Sequence, residues 1–205
     1  MGDQTRGGLL SPWLSRRRIS AVRPWLRGTV LDLGAAGGSL AAWIPPERYV
    51  GVEPDTNARS LASARFPLHR FEAAVPSGEV FDTIAALAVV EHVPSPSSFL
   101  TELRAHLGPG GYLVLTTPHP SARWLHECAA RIGLASREAA IQHRDFLDCA
   151  ALESAAEDAG FEMLVYERLL SGTSQLAVLA RRRASGTRAS STVHGSGVRT
   201  RTTSA

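Results

Sequence analysis

The sequence predicts an α/β fold in which helices cover both faces of a mostly parallel sheet. Short apolar runs alternate with helical patterns from residue 30 to residue 116, the order expected of successive βαβ units. Two β-rich runs then follow at residues 161–169 and 174–180, and their closeness predicts an antiparallel hairpin. The composition, with 44% hydrophobic and 20% charged residues and a mean hydropathy of -0.04, indicates one ordinary globular domain.

The first half of the chain supplies three strands and the helices between them. Trp13, Ile19 and Val22 recur at helical spacing among arginines, which predicts an amphipathic helix that ends before Gly28. Apolar runs with turn residues at their ends predict strands at residues 30–33, 49–53 and 68–73. Helical patterns fill the spaces between them, at residues 38–44, before two prolines, and at residues 55–65.

The second half supplies four more strands. Residues 81–87 form a strongly apolar run, and Phe99, Leu100 and Leu103 mark one face of a helix at residues 96–107. A Gly-Pro-Gly-Gly turn at residues 108–111 precedes a fifth strand at 112–116, and residues 149–159 form a helix before the closing hairpin. These patterns predict seven strands in total.

The two ends of the chain differ in composition from the middle. Residues 1–180 contain 16 arginines and 19 acidic residues, a net charge of -3, whereas residues 181–205 contain six arginines and no acid, a net charge of +6. We therefore predict a flexible start at residues 1–10, one domain at residues 11–180 and a disordered basic tail at residues 181–205. Within the domain, the helical pattern at residues 121–145 predicts either a lid-like segment or further core packing.

Several classes of protein are disfavoured by what the sequence lacks. The chain has no lysine, which removes mechanisms that require one, such as Schiff bases and the P-loop lysine. It has neither an apolar run of the roughly 18 residues that cross a bilayer nor a secretory segment, so we expect a cytoplasmic protein. Cys128 and Cys149 lack the spacing of a metal or redox motif and are predicted to be small buried side chains, with no metal site.

The most informative segment follows the first predicted strand. Residues 30–33 run into five small residues, Gly34 to Gly38, so that a ligand can lie against bare backbone near a helix start whose N–H groups are unpaired. Ligands of open α/β sheets bind at this edge. Glu53 ends the next strand, where a carboxylate can accept hydrogen bonds from both hydroxyls of a ribose. The sequence therefore predicts a nucleoside-containing cofactor.

Dinucleotide oxidoreductases are the first alternative, but two features disfavour them. Their G-x-G-x-x-G fingerprint cannot be placed on the loop with all three glycines present. Asp32, two residues before Gly34, would repel a pyrophosphate, whereas it suits a ligand that carries a sulfonium or ammonium group.

At these residues the sequence resembles the class I S-adenosylmethionine-dependent methyltransferases, over about residues 30–180. The acidic residue and glycine-rich loop of that family match the segment that starts at Asp32, and its second-strand acid matches Glu53. Residues 81–93 and 107–120 are similar to its fourth and fifth strands in the small-molecule branch, which includes quinone-biosynthesis enzymes. The loop departs from the family pattern at Ala36, where the family has a glycine. The resemblance implies a Rossmann-like, doubly wound sheet and S-adenosyl-L-methionine as cofactor.

The resemblance also assigns expected roles to residues. Asp32 would hold the amino group of the methionine moiety and Glu53, followed by Pro54, the ribose hydroxyls. The Glu72-Ala73 segment would lie beside the adenine, with a surface carboxylate as the alternative for Glu72. The other expected contacts line the methionine moiety or the cleft: Gly34, Ala35, Gly38, Leu87, Ala88 and Val89.

Three histidines are candidates for the catalytic end of the site. His92 follows Glu91 in a pair that recurs in this branch; it would orient or deprotonate an acceptor, although fixing its own loop is the favoured interpretation. His119, just past the fifth strand, is the better candidate to meet an acceptor, with shaping of the loop as the alternative. His143 lies in a segment that resembles the acceptor side of related enzymes.

We expect transfer of a methyl group to an O, N or C atom of a small molecule by in-line displacement. RNA ribose methyltransferases can share the glycine loop, but their catalytic tetrad requires two lysines and this chain has none. The other alternative is a cofactor-binding regulator or partner that no longer transfers methyl groups, with which Ala36 and the lack of a clear base are compatible. We expect no specific nucleic-acid or membrane partner.

Overall fold

The computed structural model describes residues 11–120, 147–182 and 200–201. The strands of these segments form one sheet, and in chain order they are β1 (Val30–Leu33), β2 (Tyr49–Val52), β3 (Arg70–Glu72), β4 (Phe81–Leu87), β5 (Leu107–Pro118), β6 (Phe161–Leu169), β7 (Ser174–Arg181) and β8 (Thr200–Arg201). Their order across the sheet is β3-β2-β1-β4-β5-β7-β6-β8. The first five strands are parallel, and β7 lies antiparallel between β5 and β6. The predicted seven-stranded sheet with an antiparallel C-terminal hairpin is confirmed, and the two-residue β8 adds to it beside β6.

The described helices are α1 (Ser11–Val22), α2 (Thr56–Arg65), α3 (Pro96–Ala105) and α4 (Cys149–Asp158). Three of them begin at a capping side chain that accepts a backbone N–H: Asp55 before α2, Ser95 before α3 and Asp148 before α4. Each such cap contributes about 1 kcal/mol to helix stability. Polar residues in the connections therefore fix where these helices start.

Two apolar clusters lie on opposite faces of the sheet because successive strand residues point to opposite sides. On one face, Leu31 and Leu33 of β1 pack with Leu100 of α3 and Leu152 of α4. On the other face, Val30 belongs to a cluster that is covered by Ile19 and Val22 of α1 and by Leu40 and Ile44. Helices therefore cover both faces, as predicted, and Asp32 points toward the face of α1 because it has the same parity as Val30.

Three local predictions differ from the structure. The helix predicted at residues 38–44 is reduced to a 3-10 turn at Ala41–Trp43, since Gly38 adopts a left-handed φ of 74° and Pro45 ends the segment. The turn predicted at residues 108–111 forms a bulge inside β5, between the pairs Phe81–Leu107 and Thr83–Tyr112. The third strand is also shorter than predicted, at Arg70–Glu72.

Several predictions fall on residues outside the described segments. These are the lid-like segment at 121–145, His143, Cys128, residues 1–10 and most of the predicted basic tail. The other cysteine, Cys149, is half-buried and not buried as predicted, because it is the first residue of α4. In the described part of the chain, no helix has the length and apolar character required to cross a membrane. The expected cytoplasmic location stays a prediction.

Candidate functional site

The candidate site lies at the edge of the sheet where the parallel strands end. The strands β2 and β3 lie on one side of β1, and the next strand along the chain, β4, lies on its other side. The order of strands across the sheet therefore reverses at β1. In open α/β sheets, ligands bind in the crevice outside the carboxyl ends of the strands at such a switch point. A cleft of about 160 Å³ opens here, and its walls include four of the predicted residues: Asp32, Gly34, Ala35 and Leu87.

The loop after β1 is tied to β2 through its backbone. The N–H groups of Gly34 and Ala35 both donate to the carbonyl oxygen of Val52, at 2.9 and 3.0 Å. Gly34 has a φ of 69°, and a Cβ at this position would come within 2.9 Å of Val89 Cγ2. A side chain there would press against Val89, which follows β4, and would be strained by the left-handed φ, so glycine suits this position and leaves this part of the cleft bare.

Ala36 occupies the position at which the loop departs from the family pattern. Its φ is 44°, in the left-handed region, which costs a residue with a side chain about 1 kcal/mol or more. The backbone N–H of Ala36 donates to Glu53 Oε2 at 2.9 Å. This bond holds the loop against β2 in a conformation that a glycine would adopt more easily.

Glu53 lies directly after β2 and connects three segments of the site. Besides the N–H of Ala36, its carboxylate accepts the N–H of Asp55 at 2.9 Å through Oε1, and its own N–H donates to Glu72 O. Each carboxylate oxygen can accept a second hydrogen bond. Glu53 can therefore fix the loop and still accept two hydroxyl groups from a ligand.

Asp32 is buried at the end of β1, with 3% of its surface exposed. The hydroxyl of Tyr49 donates to Asp32 Oδ2 at 2.7 Å. Burial raises the pKa of Asp32 to about 7; the Tyr49 hydrogen bond opposes this rise and the nearby charge of Glu53 adds to it. A carboxylate in this position gains most from a cationic partner, because such a partner offsets the cost of its burial.

The ends of β3 and β4 carry the remaining predicted cofactor residues. The Glu72 carboxylate forms an ion pair with Arg70 at 2.8 Å, and Arg70 also pairs with Glu79. After β4, the N–H of Ala88 donates to Thr116 O at 2.7 Å, which joins the chain there to β5. Leu87 lines the cleft, whereas the Glu72 side chain is already engaged at the sheet edge.

His119 lies at the carboxyl end of β5, beside the hairpin of β6 and β7. Its backbone N–H donates to Thr173 O, and Arg168 Nη2 donates to its Nδ1 at 3.1 Å. Because a guanidinium group only donates, Nδ1 accepts and the proton of the neutral ring is on Nε2. Burial, followed by the positive charge of Arg168, lowers the pKa of His119, and Asp148 opposes this effect.

His92, the other described candidate histidine, is exposed at the end of the 3-10 turn Val90–His92. Its backbone N–H donates to Val89 O at 2.9 Å, so it lies within the connection that follows β4. The favoured interpretation from sequence, in which His92 fixes its own loop, stays a prediction.

The sequence interpretation did not single out Arg18 as part of the site. Arg18 lines the same cleft as Asp32 and Gly34, and its Nε has no hydrogen-bond partner among the described residues. Burial lowers the pKa of Arg18, and the negative charge of Glu91 opposes this shift. The available signal was its position four residues before Val22, which places both residues on the covered face of α1.

A second missed feature is a set of buried polar groups near the end of β5. Glu91 is 9% exposed, and burial raises its pKa, against the neighbouring charges of His92 and Arg18. A hydrogen bond from the Thr117 hydroxyl also opposes this rise in the pKa of Glu91. Within the described segments, Glu91 Oε2 and the hydroxyl of Thr116 have no hydrogen-bond partner. A threonine at a strand end gives no sequence signal of this kind, because only the fold brings Thr117 near Glu91.

Comparisons with known proteins agree on one kind of domain. A family model described as a methyltransferase domain matches residues 10–166. The ubiquinone biosynthesis O-methyltransferase of Paramagnetospirillum magneticum is 32% identical over 119 residues, which cover 52% of this chain and 47% of that protein. The trans-aconitate 2-methyltransferase of an Azoarcus species is 38% identical over 114 residues, which cover 48% of this chain and 44% of that protein.

The chain thus spans about half the length of the curated relatives it matches. Among solved structures, the fold is similar to that of a magnesium protoporphyrin IX methyltransferase from Synechocystis PCC 6803, solved with bound SAH. The TM-score is 0.64 at 18% identity, and the match covers 88% of this chain and 90% of that one.

Proposed function

The chain belongs to the methyltransferase domain family, and on this premise we propose that it transfers the methyl group of S-adenosyl-L-methionine to an O, N or C atom of a small-molecule acceptor. The observation that carries this proposal is the pair of carboxylates, Asp32 and Glu53, on either side of the bare loop at the switch point of the sheet. Two relatives are named for methylation in small-molecule metabolism. One of them is named an O-methyltransferase, so oxygen is the first acceptor atom to test.

The residues present fit this cofactor. Glu53 would accept the two ribose hydroxyls while it keeps its bonds to the N–H groups of Ala36 and Asp55. Asp32 would bind the ammonium group of the amino-acid end. Arg18, whose buried Nε lacks a partner in the described structure, would pair with the carboxylate of the same end. The two charges of the ligand would then meet two opposite charges of the protein.

The rest of the cofactor would lie along the ends of β3 and β4. We expect the base beside Glu72 and Ala73, with Pro54 next to the ribose. Because the Glu72 carboxylate pairs with Arg70, backbone groups and apolar side chains would make most of the contacts with the base. Ala88 and Val89 would line the passage from the cofactor to the acceptor, next to Leu87.

Catalysis would depend mainly on alignment. The bound cofactor supplies a methyl group on a sulfonium sulfur, and the protein's task is to hold the acceptor atom in line with the carbon–sulfur bond. Positioning of two reactants can contribute about 7–11 kcal/mol, whereas a general base usually contributes about 10²- to 10⁴-fold in rate. The chain can therefore act without a strong base.

His119 suits an orienting role better than the role of base. Its Nδ1 accepts the bond from Arg168, so that Nε2 of the neutral ring carries a proton and can donate to an acceptor molecule. His92 and Glu91 would complete the acceptor end, with His143 as a further candidate outside the described residues.

Transfer of a tritiated methyl group from S-adenosyl-L-methionine to a library of phenols, carboxylic acids and amines tests this function. We expect incorporation with at least one acceptor class and none with the Asp32→Ala variant. Cofactor binding by calorimetry without transfer to any class would instead support the inactive, cofactor-binding alternative. Absence of binding would contradict the proposal altogether.

A further inference from the structure

Tyr49 is an unusual residue for the inner part of a parallel sheet, because its hydroxyl must find a polar partner there. The side chain is 2% exposed. Its ring makes edge contacts with His69 at 5.3 Å and with Phe71 at 5.6 Å between ring centroids. Two aromatic neighbours therefore hold the ring and fix the direction in which its hydroxyl points.

Gly51 provides the space that this hydroxyl occupies. Gly51 lies directly opposite Asp32 in the register of β1 and β2, and opposite Phe71 in the register of β2 and β3. A Cβ on Gly51 would approach the Tyr49 hydroxyl oxygen to 2.8 Å and Phe71 Cδ1 to 2.6 Å. Even an alanine would therefore push the ring or the hydroxyl away from Asp32.

The charged and titratable groups around Asp32 come from two elements. From β2 and the residue after it, Tyr49 donates to Oδ2 and Glu53 adds a negative charge. From α1, Arg18 stands on the wall of the same cleft. On the other side, β4 presents alanine: Ala85 pairs with Asp32. Among the side chains that the structure describes, Tyr49 is thus the donor of a hydrogen bond to this carboxylate.

We propose that Tyr49 is a positioning residue for the cofactor site: its hydroxyl, admitted by Gly51, fixes Oδ2 of Asp32 and leaves Oδ1 to bind the ammonium group of an α-amino acid. The inference rests on the proposed function, since it concerns the amino-acid end of the same ligand. It also assigns a ligand-related reason to the glycine in the middle of β2.

The chemical consequence is a dependence of affinity on pH. A hydroxyl that donates to the carboxylate stabilises its ionised form, so removal of the hydroxyl raises the pKa of Asp32 further. Protonated Asp32 cannot pair with an ammonium group. Affinity for the amino-acid end therefore falls as pH drops through the pKa of Asp32, which is about 7 in the ligand-free protein, and in Tyr49→Phe this fall begins at a higher pH.

The test is calorimetric titration of the full chain between pH 6 and pH 9 with two probes. S-adenosylhomocysteine carries the amino-acid end, and 5′-methylthioadenosine lacks it. The matched control is Tyr166→Phe, because Tyr166 is also buried and donates to a side chain, Gln175, at 2.7 Å. Gly51→Ala is a second variant that keeps the tyrosine but displaces its hydroxyl.

For Tyr49→Phe we expect about tenfold weaker binding of S-adenosylhomocysteine at pH 7, because the variant loses a hydrogen bond to a charged carboxylate. We also expect the fall in affinity to begin at a higher pH than in the wild type. Binding of 5′-methylthioadenosine should stay within twofold of wild type, which also shows that the site is folded. Gly51→Ala should behave similarly and Tyr166→Phe should match wild type.

Two results would overturn the inference alone: an unchanged profile for S-adenosylhomocysteine in Tyr49→Phe, or an equal loss of both probes, which indicates a purely structural role. If the wild-type chain binds neither probe, the proposed function fails and this inference fails with it.

Discussion

The two proposed halves of the site satisfy their carboxylates in different ways. In the proposed cofactor half, formed by the ends of β1 and β2, Asp32 and Glu53 have hydrogen-bond partners from the same chain. In the proposed substrate half, formed by the Val90–His92 turn and the end of β5, Glu91 Oε2 has no hydrogen-bond partner among the described residues.

Buried polar atoms without partners are uncommon in native proteins and call for an explanation. We infer that hydrogen bonds within the chain already fix the carboxylates of the cofactor half, where, among the described residues, only Arg18 has a buried atom left without a partner to bind the ligand, whereas Glu91 in the substrate half is left to bind a polar molecule. The difference also indicates how each half should respond to mutation. Changes in the cofactor half should affect binding of the cofactor, and changes in the substrate half should affect the rate of transfer.

The largest effect is expected for Glu53→Ala. This variant removes the acceptor of the Ala36 and Asp55 N–H groups together with the proposed partner of two ribose hydroxyls. Hydrogen bonds to a charged group contribute about 1.5–3 kcal/mol each, so we expect affinity for S-adenosylhomocysteine to fall more than about 100-fold, measured by calorimetry.

The control for this variant is Glu157→Ala, which removes an exposed carboxylate that pairs with Arg182 on the surface and should leave affinity unchanged. A dissociation constant for Glu53→Ala within threefold of wild type would show that the cofactor half has been assigned to the wrong residues.

Glu91→Gln tests the substrate half. The change keeps the size of the buried side chain but removes its capacity to carry a negative charge or accept a proton. We expect kcat/KM in the methyl-transfer assay to fall about 10- to 100-fold, at or below the usual contribution of a general base. The affinity for S-adenosylhomocysteine should stay within threefold of wild type. If this affinity and kcat/KM fall by the same factor, the two halves do not have separate roles.

The two halves also differ in how far they could be predicted from the sequence. The strands of the cofactor half were predictable because apolar runs end in glycines and acids, and a parallel sheet brings such ends together. Glu91 was named only as the neighbour of His92, and Arg18 only as one of several arginines on a helix. The residues that bury them lie on other elements, so their burial depends on packing that no local pattern records.

The same limit applies within the predicted segments. The pattern at residues 38–44 has helical spacing, but the left-handed conformation of Gly38 and the prolines that follow leave room for a single turn. The contact between Tyr49 and Asp32 joins residues 17 positions apart. It depends on the register of β1 and β2 and on the missing side chain of Gly51.

Asp32→Asn tests the energetic cost of preforming the cofactor half. Because burial raises the pKa of Asp32 from 3.8 to about 7, the folded state binds a proton more tightly than the unfolded chain does. The free energy of unfolding therefore falls as pH rises from about 4 to 7, and the cost is fully present above pH 7.

A neutral asparagine removes this dependence. We expect Asp32→Asn to raise the free energy of unfolding of the ligand-free protein by about 1–2 kcal/mol at pH 8, less than the roughly 4 kcal/mol of the full shift, because a buried amide also costs desolvation. Urea denaturation at pH 5 and pH 8 measures this, with the exposed Asp158→Asn as control. Equal slopes with pH in Asp32→Asn and wild type would contradict the buried, proton-binding Asp32.

The smallest effect is expected for Ala36→Gly. Glycine adopts the left-handed conformation of this position without a steric penalty, although it also makes the unfolded chain more flexible. The net change should be an increase of about 0.5 kcal/mol in the free energy of unfolding, with cofactor affinity unchanged or slightly higher. A decrease in stability, measured by the same denaturation, would mean that Ala36 is not strained.

The most direct test of the account is a crystal structure of the chain with S-adenosylhomocysteine. We expect the ribose hydroxyls within hydrogen-bond distance of both Glu53 carboxylate oxygens, and the amino-acid end between Asp32 and Arg18. A ligand bound elsewhere on the molecule would contradict this assignment of the site. A cleft that is blocked by side chains, so that the ligand cannot enter, would contradict it as well.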